Sequence, residues 1–321
     1  MKVVLKMKAL EPISVGYESI GIETLLYSLP VIGEDGKPID VPVLPGNSLR
    51  GVLRDQMALQ FLEDVISNAK NNNKDVKAHI GTLLSLFSGG ILAGKDNEQS
   101  KVEPNIIKNI MEQYVYLLLP LSIMGVAIKK IIIPGKLKVG IGYPLTEETK
   151  SLLKDLGVLQ NDKEVPSLLK DIVHSVLITR KDDTSKVMQL KELLNEIQGE
   201  PKEVKPEDSA IQQRLYRQVV IPGTVFYSYV EDVIPMSDEE WGLVIKTLKR
   251  LSNVGGRVAG GLGKVKIEIV GVSEEEQKKF IQAYDNYISN SNNLKKILNA
   301  LKTDPNSYFV KEDKEEQQEE E

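Results

Sequence analysis

From Leu49 an apolar residue returns at every fourth position, through Leu53, Met57, Phe61 and Val65, with Val52, Leu62 and Ile66 beside them. That spacing lays one apolar stripe along a helix, so the sequence predicts a core-facing helix opening at Pro45-Gly46-Asn47-Ser48 and ending near Asn68. Ahead of it, residues 3–14 read as a strand, and the opening MKVVLKMK alternates apolar with charged side chains as a strand does. Residues 15–44 read as short strands and turns, with a turn signal at Glu34-Asp35-Gly36-Lys37-Pro38.

After a polar loop at 71–74, the pattern predicts a helix over 104–113 and a buried stretch, 114–133, broken by a turn near Gly125. Lys136 to Tyr143 reads as a strand, 146–173 as helix-rich, Val176 to Thr179 as a short strand, and 181–213 as a charged excursion. Gln218 to Val230 reads as strand-like, 237–251 as a helix around Trp241, and Val265 to Val272 as a closing strand. The order of strands and helices predicts an α+β fold with a ferredoxin-like core carrying large insertions. The expected domain covers 1–273, with insertions at about 69–135 and 181–213. A helical segment follows over 274–303, and an acidic tail over 304–321 is expected to be disordered.

Charge changes this picture only when it is located. The net charge of −5 argues against a nucleic-acid ligand, yet the last eleven residues, KEDKEEQQEEE, carry seven acids and two bases and account for all of it. The remaining chain holds 39 charges of each sign, so any binding surface must be a local basic patch. The absence of cysteine excludes disulfides, thiolate zinc sites and cysteine nucleophiles. His79 and His174 are the only histidines, too few for a histidine metal cluster. Abundant Ile, Lys and Glu without Cys match a heat-adapted composition. No apolar run approaches the roughly 18 residues of a membrane span, which predicts a cytoplasmic protein.

Three segments carry candidate chemistry. At Pro45 to Arg54, Gly46 permits a close backbone approach, Asn47 or Ser48 can cap the helix, and free first-turn amides favour an anion. Arg50 and Arg54, four apart, share a helix face and can reach two phosphates; the plainer reading is a capped helix with two solvated arginines. At Gly255 to Lys264, five glycines in nine residues (Gly255, Gly256, Gly260, Gly261 and Gly263) surround Arg257 and precede Lys264. Such a loop can fold its backbone against phosphate, or simply turn tightly. It is not a phosphate-binding P-loop, because Val258 stands where the first glycine belongs and Val265 where Ser or Thr would bind magnesium. The third segment, Arg214 to Phe226, offers a fixed entry to a strand and two more arginines, Arg214 and Arg217.

In this order the segments resemble the RAMP superfamily of CRISPR-associated proteins, most closely its Cas-seven-like backbone subunits. The likeness rests on the helix start at Pro45 to Gly51, the strand at Val220 to Phe226 and the glycine-rich loop at Gly255 to Gly263. Thr179-Arg180-Lys181-Asp182 adds an arginine-containing strand end of the kind from which that family's thumb-like hairpin emerges. The resemblance implies an RRM-like core packing head to tail along a guide RNA in a ribonucleoprotein effector complex of antiviral defence. Carried over by position, Asn47, Ser48, Arg50, Arg54, Arg180, Gly255, Gly256, Arg257, Gly260, Gly261 and Lys264 would hold the guide without reading its sequence. The implied partners are the crRNA, a target RNA or DNA, further copies of the chain and other effector subunits, with no membrane and no cofactor or metal.

In relatives that cut target RNA an aspartate stands two residues before a Pro-Val-Ile stretch. Here Pro30-Val31-Ile32 is preceded at that position by Ser28, which cannot replace a carboxylate as metal ligand or acid–base group. The resemblance therefore points to a noncatalytic subunit. A metal-dependent endoribonuclease would have to use Glu23 or Glu18 instead. A single-copy capping subunit shares the same loops, and an enzyme whose glycine loop holds a nucleotide phosphate is the remaining alternative.

Overall fold

The alternation read in the first strand places it at the centre of a sheet. In β1 (Lys2–Ala9), Val3, Leu5, Met7 and Ala9 are buried on one face, while Val4 is buried on the other and Lys6 lies beside it. The computed structural model describes residues 1–33, 36–92, 104–129, 131–159, 164–180 and 213–309. β1 pairs antiparallel with β13 (Val225–Asp232) on one side and with β14 (Val265–Val270) on the other. Beyond β13, β9 (Leu137–Val139) and β10 (Tyr143–Pro144) complete a five-stranded sheet of order β10-β13-β1-β14, with β9 also on β13. A second sheet, β11-β12-β3-β2, joins β2 (Gly16–Ile20), β3 (Glu23–Leu26), β11 (Val173–Arg180) and β12 (Gln213–Val220). β4 (Ser28–Ile32) and β5 (Pro38–Pro42) form a separate antiparallel pair.

The helix expected from Leu49 is α1 (Gly46–Asn71), and Leu49, Leu53, Met57, Phe61 and Val65 are all buried. It starts without the expected cap: Pro45 is the N-cap, and no side chain, neither Asn47 nor Ser48, accepts a hydrogen bond from its first turn. Gly46 is needed for packing, since a Cβ there would stand 2.7 Å from the Val139 carbonyl oxygen.

The insertion after α1 is part of the body. It comprises α2 (Ile80–Ser88), β6 (Gly90–Leu92), α3 (Pro104–Ile110) with a π-helical turn over Met111–Val115, α4 (Leu119–Met124), β7 (Val126–Lys129) and β8 (Ile131–Ile133). Its Leu86, Ile110, Tyr114 and Leu121 belong to the same apolar cluster as β1 and α1. α5 (Lys150–Asp155) covers the opposite face of the sheet, where Leu145, Leu153 and Tyr227 pack on Val4. The short α6 (Leu169–Ile172) leads into β11.

Three expectations are sharpened here. Gln218 to Val230 is two strands, because Pro222 and Gly223 turn the chain between β12 and β13, Gly223 at φ +93°. The expected helix over 274–302 is α8 (Glu274–Ser289) and α9 (Ser291–Lys302), broken where the Asn290 side chain accepts hydrogen bonds from the Asn292 and Asn293 amides. The C-terminal helices pack into the main cluster through Tyr284, Ile288, Leu294 and Leu301. α8 lies on α7 (Asp238–Arg250) so closely that a Cβ on Gly242 would stand 2.1 Å from the Phe280 carbonyl oxygen. The tail boundary moves too: Pro305–Phe309 forms a 3-10 turn with Phe309 buried in the main cluster, since its ring has more to gain from the core than from solvent. Residues 310–321 lie outside the described residues.

Candidate nucleic-acid interface

The glycine-rich loop connects α7 to β14, and its two ends are fixed to the chain that follows β1. The Gly256 amide donates to the Ser14 carbonyl at 2.9 Å and the Gly263 amide to the Pro12 carbonyl at 2.9 Å. Gly255 and Gly263 have φ of +81° and +91°, and a Cβ on either would collide with a carbonyl oxygen, of Ser14 at 2.8 Å or Val254 at 2.3 Å. These two glycines are therefore required by the fold itself. Between them residues 256–261 are exposed, turned by a short 3-10 helix at Val258–Gly260.

Arg257 heads that exposed turn in the left-handed conformation, φ 57° and ψ 39°. Such a backbone costs a non-glycine residue about 1–2 kcal/mol. In a loop with five glycines, the one strained position bears a long cationic side chain. Beside it stands Arg217 of β12, half-buried, whose Nη1 donates to the buried Ser14 hydroxyl at 3.3 Å. Desolvation and then repulsion by Arg257 both lower the Arg217 pKa. Among the described residues neither arginine has an ion-pair partner. Both segments thus meet at Ser14, Arg217 through its hydroxyl and the Arg257 turn through the Gly256–Ser14 bond, and two cations with no ion-pair partner are brought near enough to repel, an arrangement that an anion would relieve. Lys264 is exposed at the end of the loop, its amide donating to the Glu11 carboxylate at 3.3 Å.

Sequence reasoning assigned Arg257 to the site and missed Arg217 as its companion. The signal lay in the alternation of β12, which puts Arg217 on the opposite face from Arg214 and Tyr216.

Arg50 and Arg54 share a face of α1, yet they do not point to solvent. Arg50 donates to the Leu137 carbonyl and, at 2.7 Å, to the Met124 carbonyl; Arg54 donates to Met124 at 2.5 Å and Gly125 at 3.0 Å. Met124 ends α4, so the guanidiniums satisfy carbonyls left open at a helix C-terminus, where the dipole favours cations. Desolvation lowers both pKa values, and Arg50 lowers that of Arg54 further. Both guanidiniums, expected to reach phosphates, are thus engaged with backbone carbonyls of the body.

The remaining candidates are separated. Asn47 and Ser48 are exposed at the start of α1, which packs on Val139 of β9. The glycine loop enters β14 at the opposite edge and opposite end of the sheet, since Val139 lies across from Val230 and Val3, whereas Val265 pairs with Ala9. At strand spacings of about 4.8 Å and rises of about 3.3 Å per residue, the two segments stand roughly 25 Å apart. Arg180 is the last residue of β11 and pairs with Gln213 across the neighbouring strand, so the excursion leaves and returns at adjacent positions. The excursion itself, 181–212, lies outside the described residues.

Ser28 opens β4 opposite Pro42. Glu23 accepts a hydrogen bond from the Ser175 hydroxyl at 2.6 Å, and Glu18 is exposed on the edge strand β2. Among the described residues no group of three or more His, Cys, Asp and Glu is placed to hold a metal ion, and no helix is long and apolar enough to cross a membrane.

Comparison with known proteins agrees with this architecture. No curated protein matches the sequence. Among solved structures, a chain of a "Type IV-B CRISPR Complex" aligns at 15% identity and a TM-score of 0.51, covering 85% of this chain and 92% of that one. Csc2 of Thermofilum pendens aligns at 16% identity and a TM-score of 0.39, covering 97% and 83%. The first shares the fold. The family description that matches is the RAMP superfamily, over residues 6–266, so the chain belongs to that superfamily.

Proposed function

We propose that this chain is a noncatalytic, Cas-seven-like subunit that binds the backbone of a crRNA in a CRISPR ribonucleoprotein complex, without preference for its sequence. The observation that carries the reading is the paired Arg217 and Arg257, two cations without an acid, the second on a strained backbone in an exposed glycine loop. Phosphodiester is the ligand this chemistry suits, since each guanidinium offers a fork of donors to phosphate oxygens and residues 256–261 of the loop are exposed. Superfamily membership supplies the context. The path β1, α1, β9 with β10, β13, α7, β14 across the main sheet is what we read as a ferredoxin-like core, and that reading supports the proposal further.

In this reading Gly255, Gly256, Gly260, Gly261 and Lys264 form the contact with Arg217 and Arg257. Asn47 and Ser48 provide a second contact some way along the same strand of RNA, Arg180 belongs to the thumb-like excursion, and Arg50 and Arg54 support the body behind them. Target nucleic acid, further copies of the chain and other effector subunits are the partners. Co-purification of the intact complex, with subunit stoichiometry and bound RNA length measured together, tests this. Several copies scaling with guide length agree with the reading; a single copy per complex contradicts it.

A further inference from the structure

A second basic surface is built from residues other than the arginine pair. The end of α1 and the exposed side of α9 enclose a groove of about 260 Å³ lined by Lys74, Asp75, Lys295, Leu298, Asn299 and Lys302. Among the described residues none of the three lysines has an ion-pair partner, and Asp75 is the one carboxylate in the lining. Lys74 and Lys302 stand near the C-terminal ends of α1 and α9, where the dipole favours cations, but Lys295 is in the first half of its helix and gains nothing from that. Three ammonium groups around one groove repel one another and call for an anionic occupant.

The chain supplies one. Residues 311–321 carry seven acids and two bases, and one residue, Val310, separates them from Phe309, which is held in the core. Tyr308 lines a neighbouring cavity of about 360 Å³ together with Lys296, Asn299 and Thr303. Asn299 borders both cavities, so the last described turn stands on one side of α9 and the lysine groove on the next. Twelve residues reach up to about 40 Å when extended, several times the width of a helix.

We infer that the lysine groove is the docking site of the chain's own acidic C-terminal segment, residues 310–321. The segment's carboxylates neutralise Lys74, Lys295 and Lys302 and keep this face from attracting nucleic acid, leaving the arginine pair as the place where RNA is held. The attraction acts between exposed charges and is therefore screened by salt, with a Debye length of about 8 Å at physiological strength.

The cysteine-free chain makes the test direct. A nitroxide attached at Gln317→Cys in the full chain reports the motion of the segment by electron spin resonance. The expected spectrum has a slow component in about 0.02 M salt that is lost at about 0.5 M, where screening is nearly complete. The same component disappears at low salt in the Lys74→Glu/Lys295→Glu/Lys302→Glu variant; if that variant melts early, Lys295→Gln/Lys302→Gln is read instead. A spectrum that is fast at low salt, or unchanged by the substitutions, overturns the inference. If the substitutions weaken RNA binding while leaving the label's spectrum as it was, the groove holds nucleic acid instead and the inference also falls. None of these outcomes bears on Arg217 and Arg257, so the crRNA reading stands or falls separately.

Discussion

Replacing Arg54 by alanine separates an internal tie from an RNA contact. In the native chain Arg54 is the donor to the Gly125 carbonyl and one of two donors to the Met124 carbonyl, Arg50 being the other. The substitution leaves Gly125 without that partner and Met124 with half of its own. Hydrogen bonds from a charged donor contribute about 1.5–3 kcal/mol each, and the guanidinium is only half-buried, so the two together come to about 3 kcal/mol. For a chain of this size that corresponds to a fall of about 5 °C in melting temperature. Arg54→Lys, which keeps the charge but loses the fork, recovers about half of the loss. The assay pairs thermal melting with RNA titration on the same samples at 25 °C. The prediction is a lower melting temperature with RNA affinity unchanged. A variant that melts as the native chain does and binds RNA tenfold more weakly would refute the inward assignment of this arginine.

Other consequences are specific to the geometry. Arg257→Gly releases about 1 kcal/mol of left-handed strain that Arg257→Ala retains, so the glycine variant melts higher than the alanine variant while both lose the same RNA affinity; equal melting would show that the strain is not stored there. Gly242→Ala forces a methyl group against the Phe280 carbonyl and the Tyr284 side chain, and its melting temperature falls by several degrees as α7 and α8 separate; an unchanged melt would contradict their contact. Glu164 is desolvated, which raises its pKa, but hydrogen bonds from Lys6 and Tyr227 outweigh this and hold it below the usual carboxylate value. Its contribution is present at neutral pH and lost as pH falls through the lowered folded-state pKa. Glu164→Gln should therefore melt below the native chain at pH 7 and level with it near pH 2, and a difference persisting in acid would contradict the assignment. Glu23→Ala should leave RNA affinity unchanged and produce no change in cleavage of a target RNA.

What was legible in the sequence was what periodicity controls. The alternation in Lys2–Ala9 and the four-residue spacing from Leu49 locate the central strand and the long helix, because in both cases one face must be apolar to be buried. The break at Asn290 was hidden because apolar residues continue through Ile288, Leu294 and Ile297 on either side, while a single side-chain cap decides where one helix stops and the next begins. The insertion after α1 joins the main core through Leu86, Ile110 and Tyr114, a long-range fact with no local signature. The same limit applied to the site. Spacing put Arg50 and Arg54 on one face of a helix, but only the position of α4 decides that this face meets carbonyls and not solvent. The glycine loop was legible as a loop, whereas the neighbour that gives Arg257 its meaning, Arg217, comes from a strand 40 residues earlier in the chain.

The most direct measurement of the central claim is the salt dependence of single-stranded RNA binding by the native chain and by Arg217→Ala/Arg257→Ala. Each phosphate contact contributes about 0.7 to the slope of log affinity against log salt on a single strand. Loss of two contacts predicts a slope shallower by about 1.4, with affinity reduced alike on guides of unrelated sequence. A slope unchanged by the double substitution would contradict the assignment of this pair to the RNA backbone.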